Sequence, residues 1–300
     1  MVGLSPGTAL AECCHISLVS MSAWRRRIEG TMPGSFDLYD NAYAHYDAEV
    51  YREVRIETYG EDLGQTGWTT PEESNGIPRE LGITSAAEVL EIGCGSGRYA
   101  LQVAATVGCH IVGLDLNEPG IRNANHLAAV QNLSARARFE LADCSQPLPF
   151  RDASFDAVFS NDVLCHIPGR PATLAEFFRV LKPSARFLFS DALVIGGVIS
   201  HEEIATRSSI GYYLFSPPGE NERLLEQAGF RVRKVEDTTK NASAISKRWR
   251  DARQKRGEAL LSIEGKKDFD GLQRFLSNVH ILTSERRLLR FLYVAEKPKT

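Results

Sequence analysis

Val89-Leu90-Glu91-Ile92-Gly93-Cys94-Gly95-Ser96-Gly97 decides the fold of this 300-residue chain. A short apolar run ends in three alternating glycines, and Tyr99–Val107 then repeats apolar residues at helical spacing. That order reads as strand, glycine-rich turn and helix. Glycines let a backbone approach a ligand closely, and a helix N-terminus offers free N–H groups to an anion. The turn alone does not name its ligand. A plain tight turn, or a dinucleotide fold, uses glycines in the same place.

Downstream the alternation continues. His110–Leu114 predicts a strand, Arg122–Gln131 a helix, and Ala137–Leu141 and Phe155–Ser160 two more strands. A helix around Pro171–Leu181 leads to the strand Arg186–Ser190. Little polar alternation inside these strands implies a parallel sheet covered on both faces. Arg231–Glu236 and Arg287–Ala295 predict two final strands. About fifty residues of charged, helical sequence separate them, too many for a simple hairpin. The expected fold is therefore α/β, a doubly wound Rossmann-like sheet. An N-terminal helical lid is expected over 35–84, the main domain over 85–300, and a helical insertion over 239–284. Residues 1–31 show no periodicity and read as a disordered leader.

Composition excludes several classes. Thirty-five Lys and Arg stand against 38 Asp and Glu, a formal charge of −3, which is not the footprint of a nucleic-acid binder. No window approaches the 18 or so apolar residues of a membrane span. The first eleven residues lack Lys and Arg, so the charged start of a secretory signal is missing. Cys13, Cys14, Cys94, Cys109, Cys144 and Cys165 form no C-x-x-C pair and no zinc spacing. They read as free thiols in a reducing cytoplasm, with no metal.

Charge is unevenly spread. From Ser35 to Glu80 eleven acids face Arg52, Arg55 and Arg79, a net −8; Thr239–Lys267 carries a net +6. The basic stretch reads as a solvated helix face rather than an anion site. Its opposite sign to the first segment predicts that the two meet over the ligand mouth, with Arg250 and Arg253 carrying the contact.

Two carboxylates narrow the ligand. Asp115 closes the second strand, where it can accept both hydroxyls of an adenosine ribose; NAD and other adenosyl cofactors fit equally. Asp143 follows the third strand, where a carboxylate can accept from an adenine amino group. Leu148-Pro149-Phe150, Ser154-Phe155-Asp156, Asn161-Asp162 and Arg179-Val180-Leu181-Lys182-Pro183 follow in order.

With these motifs the chain resembles the class I S-adenosylmethionine-dependent methyltransferases. The likeness is to their small-molecule branch, which includes ubiquinone/menaquinone and sarcosine/dimethylglycine methyltransferases. It is dense over Glu88–Asp191 and extends loosely to Gln227-Ala228-Gly229-Phe230. The resemblance implies S-adenosyl-L-methionine as cofactor and a methyltransferase version of the sheet. It also implies that Gly93, Gly95 and Gly97 line the methionine part, and that Asp115 holds the ribose. Leu116 would pack on adenine, Asp143 with Cys144 would read its edge, and Asn161 would lie near the sulfonium. Related enzymes fold a segment before the first strand over the methionine end, which makes Gln65 and Trp68 contacts. Ser184-Ala185 stands where the family has Gly-Gly, which should alter a turn without touching the cofactor site.

The acceptor is less legible. His166, just past the fourth strand, is the candidate catalytic base, against a role in merely positioning its loop. As a base it would give a rate that rises through an ordinary imidazole pKa. Tyr43 and Tyr46, in a ladder of tyrosines, and Arg207 and Tyr212, after the fifth strand, are the candidate substrate residues. The expected activity is methyl transfer to an oxygen or nitrogen nucleophile of a small molecule, an anionic one among the candidates. The alternatives are C-methylation of a quinone, lipid or other activated carbon, and a non-catalytic cofactor-binding partner subunit. No nucleic-acid or membrane partner is expected.

Overall fold

The computed structural model describes residues 38–62 and 64–299. The expected leader, 1–31, lies outside them. Seven strands form one sheet in the order β3-β2-β1-β4-β5-β7-β6. They are β1 Glu88–Ile92, β2 His110–Asp115, β3 Ala137–Leu141, β4 Phe155–Asn161, β5 Leu181–Ile195, β6 Arg231–Asp237 and β7 Leu288–Glu296. The first five pair in parallel, and the chain reverses its winding between β1 and β4.

Parallel pairing does not extend to the end. β7 runs antiparallel to both β5 and β6, so the sheet is mixed. A long excursion through two helices, Thr239–Lys255 and Gly257–Ser284, leaves from the end of β6 and returns the chain to the same edge of the sheet, where β7 begins beside it. The register of β5 against β7 slips between Asp191 and Val194. The side chain of Arg290 enters the molecule at that slip. Ser184 lies in β5 with φ +67°, a left-handed conformation that suits glycine and that the serine adopts at the start of the pairing with β4.

Two apolar clusters flank the sheet. Leu90, Ile92, Phe155, Val158, Phe177, Phe187 and Phe189 belong to one, and Val89, Leu101, Ile111, Phe139 and Phe159 to the other. Both faces of β1 are therefore buried, which explains why its residues do not alternate with polar ones.

Three helices precede β1, at Leu38–Ala44, Glu49–Tyr59 and Pro71–Leu81. The third starts at a capping box, Thr70 with Glu73, and has Pro71 in its first turn. The acidic helix Glu49–Tyr59 and the basic helix Thr239–Lys255 do meet. Lys255 pairs with Glu57, and Arg256 with Glu53 and Glu57 at 2.7 Å each. The two arginines expected to make the contact do something else. Arg250 pairs with its neighbour Asp251, and Arg253 with Glu264 inside the insertion. Under these ion pairs Trp68 stacks on Phe275 and lies against Trp249. Apolar packing, rather than charge, is the larger attraction there, because exposed ion pairs each contribute about 0–1 kcal/mol.

Candidate active site

A cavity of about 310 Å³ opens at the carboxyl edge of the sheet, where open α/β folds bind ligands. Its floor comes from residues just past β1 to β4. Leu38, Tyr39, Tyr43 and residues 64–69 cover it from the N-terminal side, and Arg207 and residues 210–213 close the far end.

The floor is organised by backbone hydrogen bonds. Gly93 N and Cys94 N both donate to Leu114 O, at 2.7 and 3.0 Å, tying the glycine turn to β2. Asp115 accepts from Gly95 N and from Asn117 N, each at 2.8 Å. Burial raises its carboxyl pKa against the pull of those N–H groups. Asp143 accepts from Ser145 N at 2.9 Å. Gly95 has φ +52°, and a Cβ there would lie 2.3 Å from the Tyr43 hydroxyl, so only glycine fits.

Of the ten expected cofactor residues, Gln65, Trp68, Gly93, Gly95, Asp115, Leu116, Asp143, Cys144 and Asn161 all line this cavity. Gly97 does not. It takes φ +73° as the N-cap of the helix Arg98–Val107, and a Cβ there would strike Phe139 and Ala124 at 2.6 and 2.7 Å. Its smallness serves helix packing behind the turn. Trp68 lines the wall, yet its ring belongs to the aromatic packing with Trp249 and Phe275.

The walls suit an adenosyl amino acid. Asn161 Nδ2 and Ser96 Oγ are buried polar atoms with no partner among the described residues, and both residues line the cavity. Leaving such a group unpaired costs about 1–3 kcal/mol, so a ligand that pairs it is favoured. Apolar Leu116 and Cys144 flank the Asp115 and Asp143 carboxylates. Those residues would hold S-adenosylmethionine.

The far end differs in character. Tyr39 Oη lies 3.1 Å from His166 Nε2, and His166 Nδ1 lies 3.0 Å from Tyr212 O. A carbonyl only accepts, so Nδ1 carries the hydrogen and Nε2 takes the Tyr39 O–H. Burial is the main cause that lowers the His166 pKa to about 4. The imidazole is therefore neutral and a weak base at neutral pH. The expectation of a rate rising through an ordinary imidazole pKa is corrected by that burial.

Arg207 ends the helix His201–Arg207. Its guanidinium lies over the Tyr213 ring at 4.3 Å and the Phe275 ring at 5.0 Å. Nε and Nη1 find no hydrogen-bond partner, and no ion pair engages Arg207 among the described residues. The expected substrate residues thus divide. Arg207 and Tyr212 line the far end, whereas Tyr43 lies against the glycine turn, on the cofactor side. Tyr46 is off the cavity altogether. Its hydroxyl accepts from Arg98 Nε, and its ring lies under the Arg55 guanidinium at 4.7 Å. Tyr39, from the same ladder, and Tyr213, next to Tyr212, join the wall, and Phe275 joins it from a helix that no motif marks. The Tyr39–His166 contact spans 127 positions, and no local pattern announces it.

Comparison with known proteins agrees with this geometry. Residues 90–189 match a family described as a methyltransferase domain. The chain is 30% identical over 248 residues to phosphoethanolamine N-methyltransferase 1 of Triticum aestivum, covering 82% of this chain and 48% of that one. It is 31% identical over 173 residues to sterol 24-C-methyltransferase of Pneumocystis carinii, covering 55% of this chain and 46% of that one. The chain therefore spans about half the length of these curated relatives. In structure it is similar to Haemonchus contortus phosphoethanolamine N-methyltransferase 2, solved with phosphomonomethylethanolamine and S-adenosylhomocysteine. The TM-score is 0.73 at 21% identity, over 89% of this chain and 62% of that chain. No described helix is long and apolar enough to cross a membrane. Residues 90–189 are a methyltransferase domain, and the chain is similar over most of its length to S-adenosylmethionine-dependent methyltransferases.

Proposed function

We propose that the protein methylates the nitrogen of a small acceptor that also carries a compact anion, a phosphate or a carboxylate. The observation that carries this reading is Arg207, a buried guanidinium at the end of the cavity with two unpartnered donor atoms. A buried charge without a counterion is costly, and an oxyanion on Nε and Nη1 would relieve that cost through charge-assisted hydrogen bonds. Phosphoethanolamine, named by the wheat relative, has that form: an amine and a phosphate on a short stem.

When bound, S-adenosylmethionine supplies an electrophilic methyl group, and much of the remaining task is alignment. The Tyr39 hydroxyl donates to His166 Nε2 and neighbours the Tyr213 hydroxyl, which leaves an oxygen lone pair for an N–H of the acceptor. His166 acts by holding that hydroxyl in place. With a pKa near 4 it is too weak to deprotonate an alcohol, which is why nitrogen is favoured over oxygen. An amine needs only to arrive neutral, and a cavity walled by Tyr39, Tyr213 and His166 favours the neutral form by desolvation.

C-methylation is the second reading, and the sterol relative favours it. The cavity volume, at the lower end of the ~300–1,000 Å³ of small-molecule sites and shared with the cofactor, weighs against a sterol-sized acceptor. The free thiols at Cys94, Cys109, Cys144 and Cys165 suit a reducing cytoplasm and small-molecule metabolism there.

Turnover of S-adenosylmethionine with ethanolamine, phosphoethanolamine, glycine and a sterol tests the proposal. Turnover with an anionic amine, lost with ethanolamine, is expected. Turnover with the sterol alone would replace the amine reading by C-methylation.

A further inference from the structure

Arg290, far from the sequence motifs, is the most completely bonded side chain near the cavity. It leaves β7 at the register slip opposite Asp191 and Val194. Nε donates to Asp162 Oδ1 at 2.9 Å, and Nη2 to Asp162 Oδ2 at 3.2 Å and to Thr69 Oγ1 at 3.1 Å. Nη1 donates to Glu73 Oε1 at 2.7 Å and to Thr238 Oγ1 at 2.8 Å. All five N–H groups of a guanidinium are thereby used.

The partners fall on two sides of the cavity. Asp162 follows β4, lines the floor, and is held by Ser190 Oγ at 2.9 Å. Thr69 and Glu73 belong to the N-terminal side, where residues 65–69 form a strap that lines the cavity. Asp162 Oδ2 also accepts from Trp68 N at 2.9 Å, so the carboxylate grips the strap directly. Glu73 serves twice: Oε2 accepts from Thr70 N in the capping box, while Oε1 takes Arg290.

We propose that Arg290 is a positioning residue, whose guanidinium clamps the 65–69 strap to Asp162 and so sets the cofactor half of the cavity. Strap and floor lie on segments that share no strand pairing, and Arg290 with Asp162 is the polar joint between them. Lysine cannot replace it, because an ammonium has three donors and no planar fork.

Calorimetry with S-adenosylhomocysteine tests this without any acceptor, so the outcome does not depend on the proposed substrate. Arg290→Lys should weaken binding about tenfold to a hundredfold, the scale on which small misplacements cost an active site. Amide exchange at residues 66–69 should accelerate in the same variant. Thr69→Val with Glu73→Gln is the companion in case the lysine variant does not fold. It keeps Arg290 paired with Asp162, and glutamine preserves the capping box. It should weaken S-adenosylhomocysteine binding and free the strap, with a smaller loss of Tm than removal of Arg290 itself. Unchanged affinity in this folded double variant would overturn the proposal and leave Arg290 a purely structural residue.

Discussion

Two buried arginines are treated in opposite ways by the fold: Arg290 sits behind the strap that lines the cavity, and Arg207 lies in the cavity wall. Around Arg290 every donor has a partner, and Asp162 and Glu73 balance the charge. Around Arg207 aromatic rings supply contact, while Nε and Nη1 go unpaired among the described residues. A guanidinium whose partners are complete joins parts of a protein. One that lines a cavity with donors to spare is what the proposed anionic acceptor would engage. Lining is the necessary half of that statement, since Arg170 also has unpartnered nitrogens yet pairs with Asp191 away from the cavity wall.

Stability separates the pair most sharply. Arg290→Met strands two buried carboxylates and should cost about 3–5 kcal/mol, whereas Arg207→Met removes an uncompensated charge and should be near neutral or stabilising. Denaturant unfolding of both variants measures this, and equal losses would break the comparison. Acceptor binding comes next. Arg207→Met should raise the KM for an anionic amine about tenfold or more, as hydrogen bonds to charged groups are each worth about 1.5–3 kcal/mol. Its affinity for S-adenosylhomocysteine should stay as it was, and a parallel loss there would move Arg207 to the cofactor half.

His166 gives a smaller effect. As a holder of Tyr39, its replacement by Asn should slow turnover about tenfold, short of the ~10²–10⁴-fold expected of a general base. The pH profile adds a sign. Because burial lowers the imidazole pKa to about 4, neutral His166 is present at all higher pH and protonates only as pH falls through that value. Between pH 6 and 8 the rate should rise only as the acceptor amine itself loses its proton. A break near pH 6.5 that vanishes in the Asn variant would restore His166 as the base. The least effect belongs to the surface pairs. Arg256→Glu opposes Glu53 and Glu57, and should cost at most about 1 kcal/mol, diminishing with added salt.

The halves of the cavity were unequally readable for a related reason. Gly93, Gly95, Asp115 and Asp143 each sit at the end of a strand, and their ligand-facing geometry follows from the next two or three residues. Gly95 N to Asp115 and Asn117 N to Asp115 are bonds of turns that the local order already implies. Gly97 departs from that pattern because its close neighbours, Phe139 and Ala124, come from other elements. Tyr43 and Tyr46 are spaced as one ladder, but the helix ends at Ala44, and Tyr46, past its end, lies against Arg55 and Arg98 instead.

By itself the sequence determined the strand-turn-helix order, the parallel core of the sheet, the glycine turn after β1 and the opposite charges of two flanking segments. Each of these is written in periodicity, turn chemistry or composition within a few residues. The tertiary structure alone decided that β7 is antiparallel and that Lys255 and Arg256 meet the acidic helix. It alone decided that Tyr39 faces His166 and that one arginine is saturated while another is left open. The physical reason is that burial and the count of hydrogen-bond partners are properties of surroundings, assembled here from segments up to 221 residues apart. An arginine is the same letter in both places, and its neighbours decide whether it holds the protein together or waits for a ligand.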